Sequence, residues 1–404
     1  MELPEIQRAI EALPIESRRD LLVWLQATDM PRGWGLFRKR KPKHPVTLKR
    51  AVLWSLVSLA LFLALDAAIF RSGWYYNYLE PNSTTGQLES QLFWLRHERP
   101  GATPEVAAIG DSRIAEGFSA RKATAVSGDK LHFWNLAVSG SSPRGWYYLL
   151  RDGDPTHRRF KAIAFGIDHY SDQDGIETPA TRISDLNYVV GRLRLTDCLD
   201  FSQSFLVPDF QHSVFVGCLF KGVTLRRDVQ GLLENRKQRF AQAKDWRNNG
   251  HGYIDGYGGK PEDLTGLTRN SDTKTLNFPP GTKDWQSATA LATVFHADAP
   301  QTGELTAYRK RWLGRIVEMY KDSPTQLIFL ELPRAPLPTP ELAARSRFID
   351  SIRNRPKITV LPKEMFRDLE HPEVFADGLH LNEKGRPIFS ERLGNTITEL
   401  VLGR

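Results

Sequence analysis

Glu105-Val106-Ala107-Ala108-Ile109-Gly110-Asp111-Ser112-Arg113 is the stretch on which the reading of the fold turns. A short apolar run breaks into Gly-Asp-Ser, three residue types that favour turns. Similar runs recur at 131–138, 161–167, 326–332 and 358–361, each rich in Val, Ile, Phe or Leu. Their length and near-continuous apolarity suit parallel strands buried on both faces. Helical periodicity falls between or after them, at 114–126, 144–150, 307–320, 340–353 and 383–402. This alternation predicts an α/β fold, a doubly wound parallel sheet with helices on both faces. In such sheets ligands gather beyond the carboxyl ends of the strands, where Ser112 falls.

The segment from about 172 to 303 departs from that rhythm. It holds a helical pattern at 225–246, a Gly-rich loop at 250–259 and polar stretches around Asn270 and Pro279. It reads as an insertion into the 104–404 domain that forms a cap or rim.

Ahead of that domain lies Ala51–Phe70, AVLWSLVSLALFLALDAAIF, whose single charge is Asp66. Roughly 20 apolar residues suffice to cross a bilayer core as a helix. Arg32, Arg38, Lys39, Arg40, Lys41, Lys43, Lys49 and Arg50 precede the run, and only Arg71 follows closely. The positive-inside rule then places the N-terminus in the cytoplasm and the large domain outside. With no convincing cleavage site, the run reads as a retained signal anchor. Asp66 is tolerated near the interface or facing a partner helix. Residues 1–30 read as a small cytoplasmic helical head, 31–50 as a basic linker, and 71–103 as a polar neck. Trp74, Tyr75, Tyr76 and Tyr78 of that neck suit an interfacial aromatic belt.

The net charge of +8 is concentrated in the basic linker, and no aromatic-interleaved basic module accompanies it, which argues against nucleic acid as a partner. The only cysteines, Cys198 and Cys218, show no metal-ligand spacing with histidine. In an oxidising compartment they can form a disulfide, and two buried free thiols are the alternative.

The chemistry comes from pairing Ser112 with a distant Asp377-Gly378-Leu379-His380. A serine leaving an early strand and a late Asp-x-x-His supply a nucleophile, a base and an orienting carboxylate. Each has a plainer role open to it: Ser112 as a helix N-cap, Asp377 as the cap of the last helix, His380 on the surface. Gly140 suits a tight turn as well as an oxyanion hole.

The exported region resembles the SGNH (GDSL-like) hydrolase superfamily, in particular its membrane-anchored branch of DltD and AlgJ/AlgX type proteins. The resemblance rests on 104–170 and 325–400. Gly110-Asp111-Ser112 matches the nucleophile block, Asn135-Leu136-Ala137-Val138-Ser139-Gly140 the block that gives an oxyanion N–H, and Asp377 with His380 the last block. It implies a flavodoxin-like three-layer α/β/α domain, Ser112, His380 and Asp377 as catalytic residues, and N–H groups of Ser112 and Gly140 in the oxyanion hole. The third block departs: Gly166-Ile167-Asp168-His169 stands where the family carries Gly-x-Asn-Asp. An ionised Asp168 donates no hydrogen bond, and losing one oxyanion donor costs about 100- to 1000-fold in rate. Either Asp168 is protonated or oriented elsewhere, or His169 or Arg113 substitutes, or the site works with its two backbone donors. Asp111, Arg113, Asp168 and His169 are candidate substrate-binding residues.

The expectation is a single-pass membrane protein with an extracytoplasmic (periplasmic) O-acyltransferase or acyl esterase domain acting on a cell-surface polysaccharide. No cofactor is called for. The resemblance further implies a bacterial envelope and a multi-spanning membrane acyltransferase as partner. A free-standing surface esterase, or a catalytically weak binding subunit of a polysaccharide acylation machine, are the alternatives.

Overall fold

A computed structural model describes residues 47–98, 101–167, 184–205, 208–249, 259–270, 272–295, 306–338 and 347–403. Residues 1–30, read as a helical head, and 31–46 of the basic linker therefore lie outside the described residues. The chain divides into two compact units, one ending at Phe62 and one running Leu63–Arg404.

The second unit is α/β. Five parallel strands, β1 (Glu105–Ile109), β2 (His132–Asn135), β3 (Phe160–Ile167), β6 (Gln326–Glu331) and β7 (Ile358–Val360), lie in the order β2-β1-β3-β6-β7. A short antiparallel hairpin, β4 (Thr268–Asn270) and β5 (Thr275–Asn277), belongs to the insertion. Chain direction across the sheet reverses between β1 and β3, the position beside which such sheets place their ligand sites, at the strands' carboxyl ends.

Strand residues alternate between faces, so each strand feeds two cores. Val106 and Ala108 pack with Ala123, Phe389, Leu393 and Ile397 of the Ala120–Val126 and Gly385–Leu402 helices. Ala107 and Ile109 face the other way, toward Leu92, Trp146, Leu149 and Trp312. Phe165 and Phe329, paired in register across β3 and β6, stack with centroids 5.2 Å apart.

Several elements differ from the sequence expectation. The 71–103 stretch, read as a polar neck, contains the Thr84–His97 helix, whose Leu88, Leu92 and Leu95 are buried in a sheet core. The 114–126 pattern is two helices, Ser112–Gly117 and Ala120–Val126, broken where Ser119 caps the second through the Lys122 N–H. The 225–246 pattern likewise splits into Arg226–Glu234 and Arg236–Asn249, because Asn235 leaves helical geometry. The insertion is more than a rim: Leu186, Val189, Phe201, Phe205 and Val214 complete one core. Of the expected aromatic belt, Trp74 is exposed but Tyr75 is buried against Phe70 and donates to Asp228.

Among the described residues one helix, Leu48–Arg71, is long and apolar enough to cross a membrane, with mean hydropathy 2.2. Its first part exposes Val52, Leu53, Trp54, Leu56, Leu59 and Leu61. Asp66 has a partner within its own unit: its carboxylate accepts the backbone N–H of Gly222 at 2.7 Å and of Lys221 at 3.2 Å. Cys198 and Cys218 form a disulfide with Cα atoms 5.5 Å apart, which closes the alternative of free thiols.

Candidate active site

Ser112 begins the helix that leaves β1. Asp111 is that helix's N-cap, its side chain accepting the Arg113 N–H at 2.9 Å, so the Ser112 hydroxyl is not used in capping. Asp377 does not cap the last helix, whose N-cap is Lys384.

The hydroxyl instead meets the distant motif. His380 Nε2 lies 2.8 Å from Ser112 Oγ, across 268 residues of sequence. His380 Nδ1 is 2.8 Å from Asp377 Oδ2 and 3.0 Å from Oδ1. Asp377 also accepts the backbone N–H groups of Leu379 (2.7 Å) and His380 (2.9 Å), and only 2% of it is exposed. Burial pushes its carboxyl upward, but the hydrogen bond and charge of His380 with the two N–H donors more than offset this and hold it below the usual value. An ionised, buried carboxylate that fixes one imidazole nitrogen leaves the other free to accept a hydroxyl proton.

The loop after β2 comes to the same place. Val138 N–H donates to Gly110 O at 3.1 Å and Ser141 Oγ donates to it at 3.2 Å. Gly140 sits at φ +71°, a left-handed conformation that glycine adopts without strain, and the Tyr188 hydroxyl anchors the loop through Ser139 O. Among the described residues, the N–H groups of Ser112 and Gly140 make no hydrogen bond with the protein.

The other expected residues fare differently. Asp111 and Arg113 are engaged with one another, Nη2 to Oδ2 at 2.7 Å and Nε to Oδ1 at 3.3 Å. Burial raises the Asp111 carboxyl, yet the Arg113 charge and hydrogen bonds hold it low overall. With 12% of its side chain exposed, Arg113 is a positioned member of the site rather than a solvated arginine. Asp168 and His169 lie outside the described residues.

Supporting residues were not anticipated from the sequence. Asn135, fully buried, donates its amide to the carbonyls of Ile114 (3.0 Å), Ala115 (3.2 Å) and Phe118 (2.9 Å). It thereby pins the far end of the helix that begins at Ser112. The Asp284–Val294 helix of the insertion holds the Asp377–His380 loop: Gln286 Nε2 donates to Ala376 O, Gly378 N–H to Thr289 Oγ1, and Thr293 Oγ1 to Gly378 O. Lys260 Nζ pairs with Glu116 at 2.8 Å and lies 3.6 Å from Asp377, near the Trp285 ring. The partners of the Asp377–His380 loop come from segments more than 80 residues away, a proximity that no local sequence signal carries.

No protein-family model matches the chain, and no curated protein matches it.

Proposed function

We propose that the chain is a membrane-anchored serine enzyme of SGNH type, an O-acyltransferase or acyl esterase for a cell-surface polysaccharide. The observation that carries this reading is the Ser112–His380–Asp377 hydrogen-bonded chain at the carboxyl end of β1. The strand order supports the finer fold assignment, since with the hairpin set aside it corresponds to the flavodoxin-like order 2-1-3-4-5.

The chemistry follows from the roles of the groups. His380 Nε2 takes the Ser112 hydroxyl proton as Oγ attacks an acyl carbonyl. The carbonyl oxygen, now negative, is met by the N–H groups of Ser112 and Gly140. As the carbonyl re-forms, the ester bond breaks and His380 returns the proton to the departing alcohol, leaving Ser112 acylated. A sugar hydroxyl or water, deprotonated by His380, then takes the acyl group. Asp377 stabilises the transient imidazolium throughout. An anchor beside the membrane raises the effective concentration of a membrane-borne acyl donor. That suits a domain served by a multi-spanning acyltransferase partner, and the basic residues before the apolar run favour its extracytoplasmic side.

A binding-subunit reading is favoured by one residue, Asp168, where the family's asparagine would donate to the oxyanion. The two separate on incubating the full chain with an aryl acetate and an oligosaccharide. Acetylated sugar supports transfer, free acetate alone supports hydrolysis, and neither, with wild type matching Ser112→Ala, sinks the enzymatic reading.

A further inference from the structure

A cavity of about 560 Å³ lies in the Leu63–Arg404 unit, and none of Ser112, Asp377 and His380 lines it. Its wall includes Arg71, Ser72 and Gly73, where the apolar Leu48–Arg71 helix ends. Four arginines face it (Arg71, Arg96, Arg192 and Arg247) against one carboxylate, Glu89.

That carboxylate is already committed. Arg192 Nε meets Glu89 Oε1 at 2.7 Å and Nη2 meets Oε2 at 2.5 Å, a bidentate pair. Arg71 is held by backbone carbonyls of Leu193 (3.3 Å), Cys218 (2.6 Å) and Leu219 (3.0 Å), which fix its position and leave its charge uncancelled. Arg247 donates to the Asn77 carbonyl. Arg96 makes no hydrogen bond or ion pair among the described residues. Its partial withdrawal from water and the nearby Arg192 charge hold its guanidinium below the usual arginine value, against the opposing pull of Glu89 and of Asp152, which lies 3.8 Å from Arg192 and is itself paired with Arg151. Cations gathered without matching carboxylates cost free energy through self-repulsion unless an anion joins them. Trp246, Tyr76 and Phe93 supply the apolar remainder of the lining.

We infer that this cavity binds the phosphate-bearing headgroup of an anionic membrane lipid. Guanidinium groups match phosphate oxygens with paired N–H donors. A volume of this size admits a headgroup rather than a bare ion. Position selects the lipid over a soluble phosphate: Arg71, Ser72 and Gly73 line the cavity where the apolar helix ends, so that wall lies at headgroup depth if that helix spans a bilayer. The inference rests on the membrane-anchored part of the proposed function and not on its chemistry.

The test uses the full chain in neutral detergent micelles, titrated with short-chain phosphatidylglycerol, phosphatidylcholine and inorganic phosphate. Saturable phosphatidylglycerol binding is expected, about 10-fold weaker in Arg96→Gln and in phosphatidylcholine, and unchanged in Arg355→Gln, an exposed arginine outside the cavity. Arg96 is exposed and unpaired among the described residues, so Arg96→Gln retains the fold, as a melting curve checks. Equal phosphatidylglycerol affinity in wild type and Arg96→Gln, or no binding to either, overturns the inference. Inorganic phosphate binding as tightly as phosphatidylglycerol overturns the lipid assignment. Fluorophosphonate labelling of Ser112 in the same preparation reports the catalytic reading separately, so failure of one is told from failure of the other.

Discussion

Gly378→Ala is the substitution that most sharply probes how the triad is held. A Cβ built at Gly378 would fall 2.3 Å from the carbonyl carbon and oxygen of Thr289 and 2.4 Å from the Ala290 nitrogen. These are backbone atoms of a helix, so no side chain can swing aside. Relief to an ordinary 3.4 Å contact requires the Asp377–His380 loop to retreat by about 1 Å from the Asp284–Val294 helix. The same movement strains the Gly378 N–H bond to Thr289 Oγ1 and the Thr293 Oγ1 bond to Gly378 O. His380 Nε2 starts only 2.8 Å from Ser112 Oγ, so a 1 Å shift removes that hydrogen bond. Misplacement on that scale lowers the rate by about 100-fold, while overpacking costs about 1 to 3 kcal/mol of stability. The assay is the second-order rate constant for fluorophosphonate labelling of Ser112, with thermal melting alongside. Thr293→Val removes one of the loop's hydrogen bonds without the clash and should give a smaller loss. A folded Gly378→Ala protein labelled within about 3-fold of wild type would refute the claim that this helix sets the triad geometry.

Four further outcomes follow from the same contacts. Asp377→Asn keeps the size of the side chain but loses the charge and the imidazole tautomer, so turnover of an aryl ester should fall by about 10,000-fold with melting little changed. Asn135→Asp turns a buried donor facing three carbonyls into an acceptor; urea denaturation should show at least about 3 kcal/mol lost. Cys198→Ser opens a disulfide between residues 20 apart in sequence and should lower stability by about 3 kcal/mol in the same measurement. Lys221, hydrogen-bonded to Tyr76 and Gly191, is pushed down to about 7 by burial, then by Arg71 and Arg192, against the pull of Glu89 and Asp66. Its folded value is below its unfolded one, so between about 7 and 10 the unfolded chain binds more protons and stability rises with pH. From pH 7 to 9 the gain should reach about 2 to 3 kcal/mol, and Lys221→Met should flatten it.

What could be read from residues alone follows from the range of the interactions involved. The strands were legible because parallel strands buried on both faces are nearly unbroken apolar runs; Gln326–Glu331 differs from the expectation by one residue, whereas β2 stops at Asn135, three residues short of the apolar run's end at Val138. The Thr84–His97 helix was not, because Leu88, Leu92 and Leu95 are diluted by Gln87, Glu89, Ser90 and Gln91 and pass for a polar neck. The Ser119 and Asn235 breaks were missed since an apolar pattern continues across them. Ser112, Asp377 and His380 stood out because their chemistry compresses into two short motifs. Asn135 stands out in the sequence only as part of a loop motif, and its grip on the Ser112–Gly117 helix depends on contacts 17 to 21 residues away. Lys260, Gln286 and Thr293 sit in the insertion, whose link to the Asp377 loop exists only once the chain has folded.

The central claim is that Ser112 is an activated nucleophile, and the direct measurement is peptide-level mass spectrometry after fluorophosphonate treatment of the full chain, with Ser112→Ala and His380→Ala in parallel. A single adduct on the Ser112 peptide of wild type is expected, absent from Ser112→Ala and strongly reduced in His380→Ala. An unlabelled Ser112 in folded wild type, or equal labelling with and without His380, would contradict the claim.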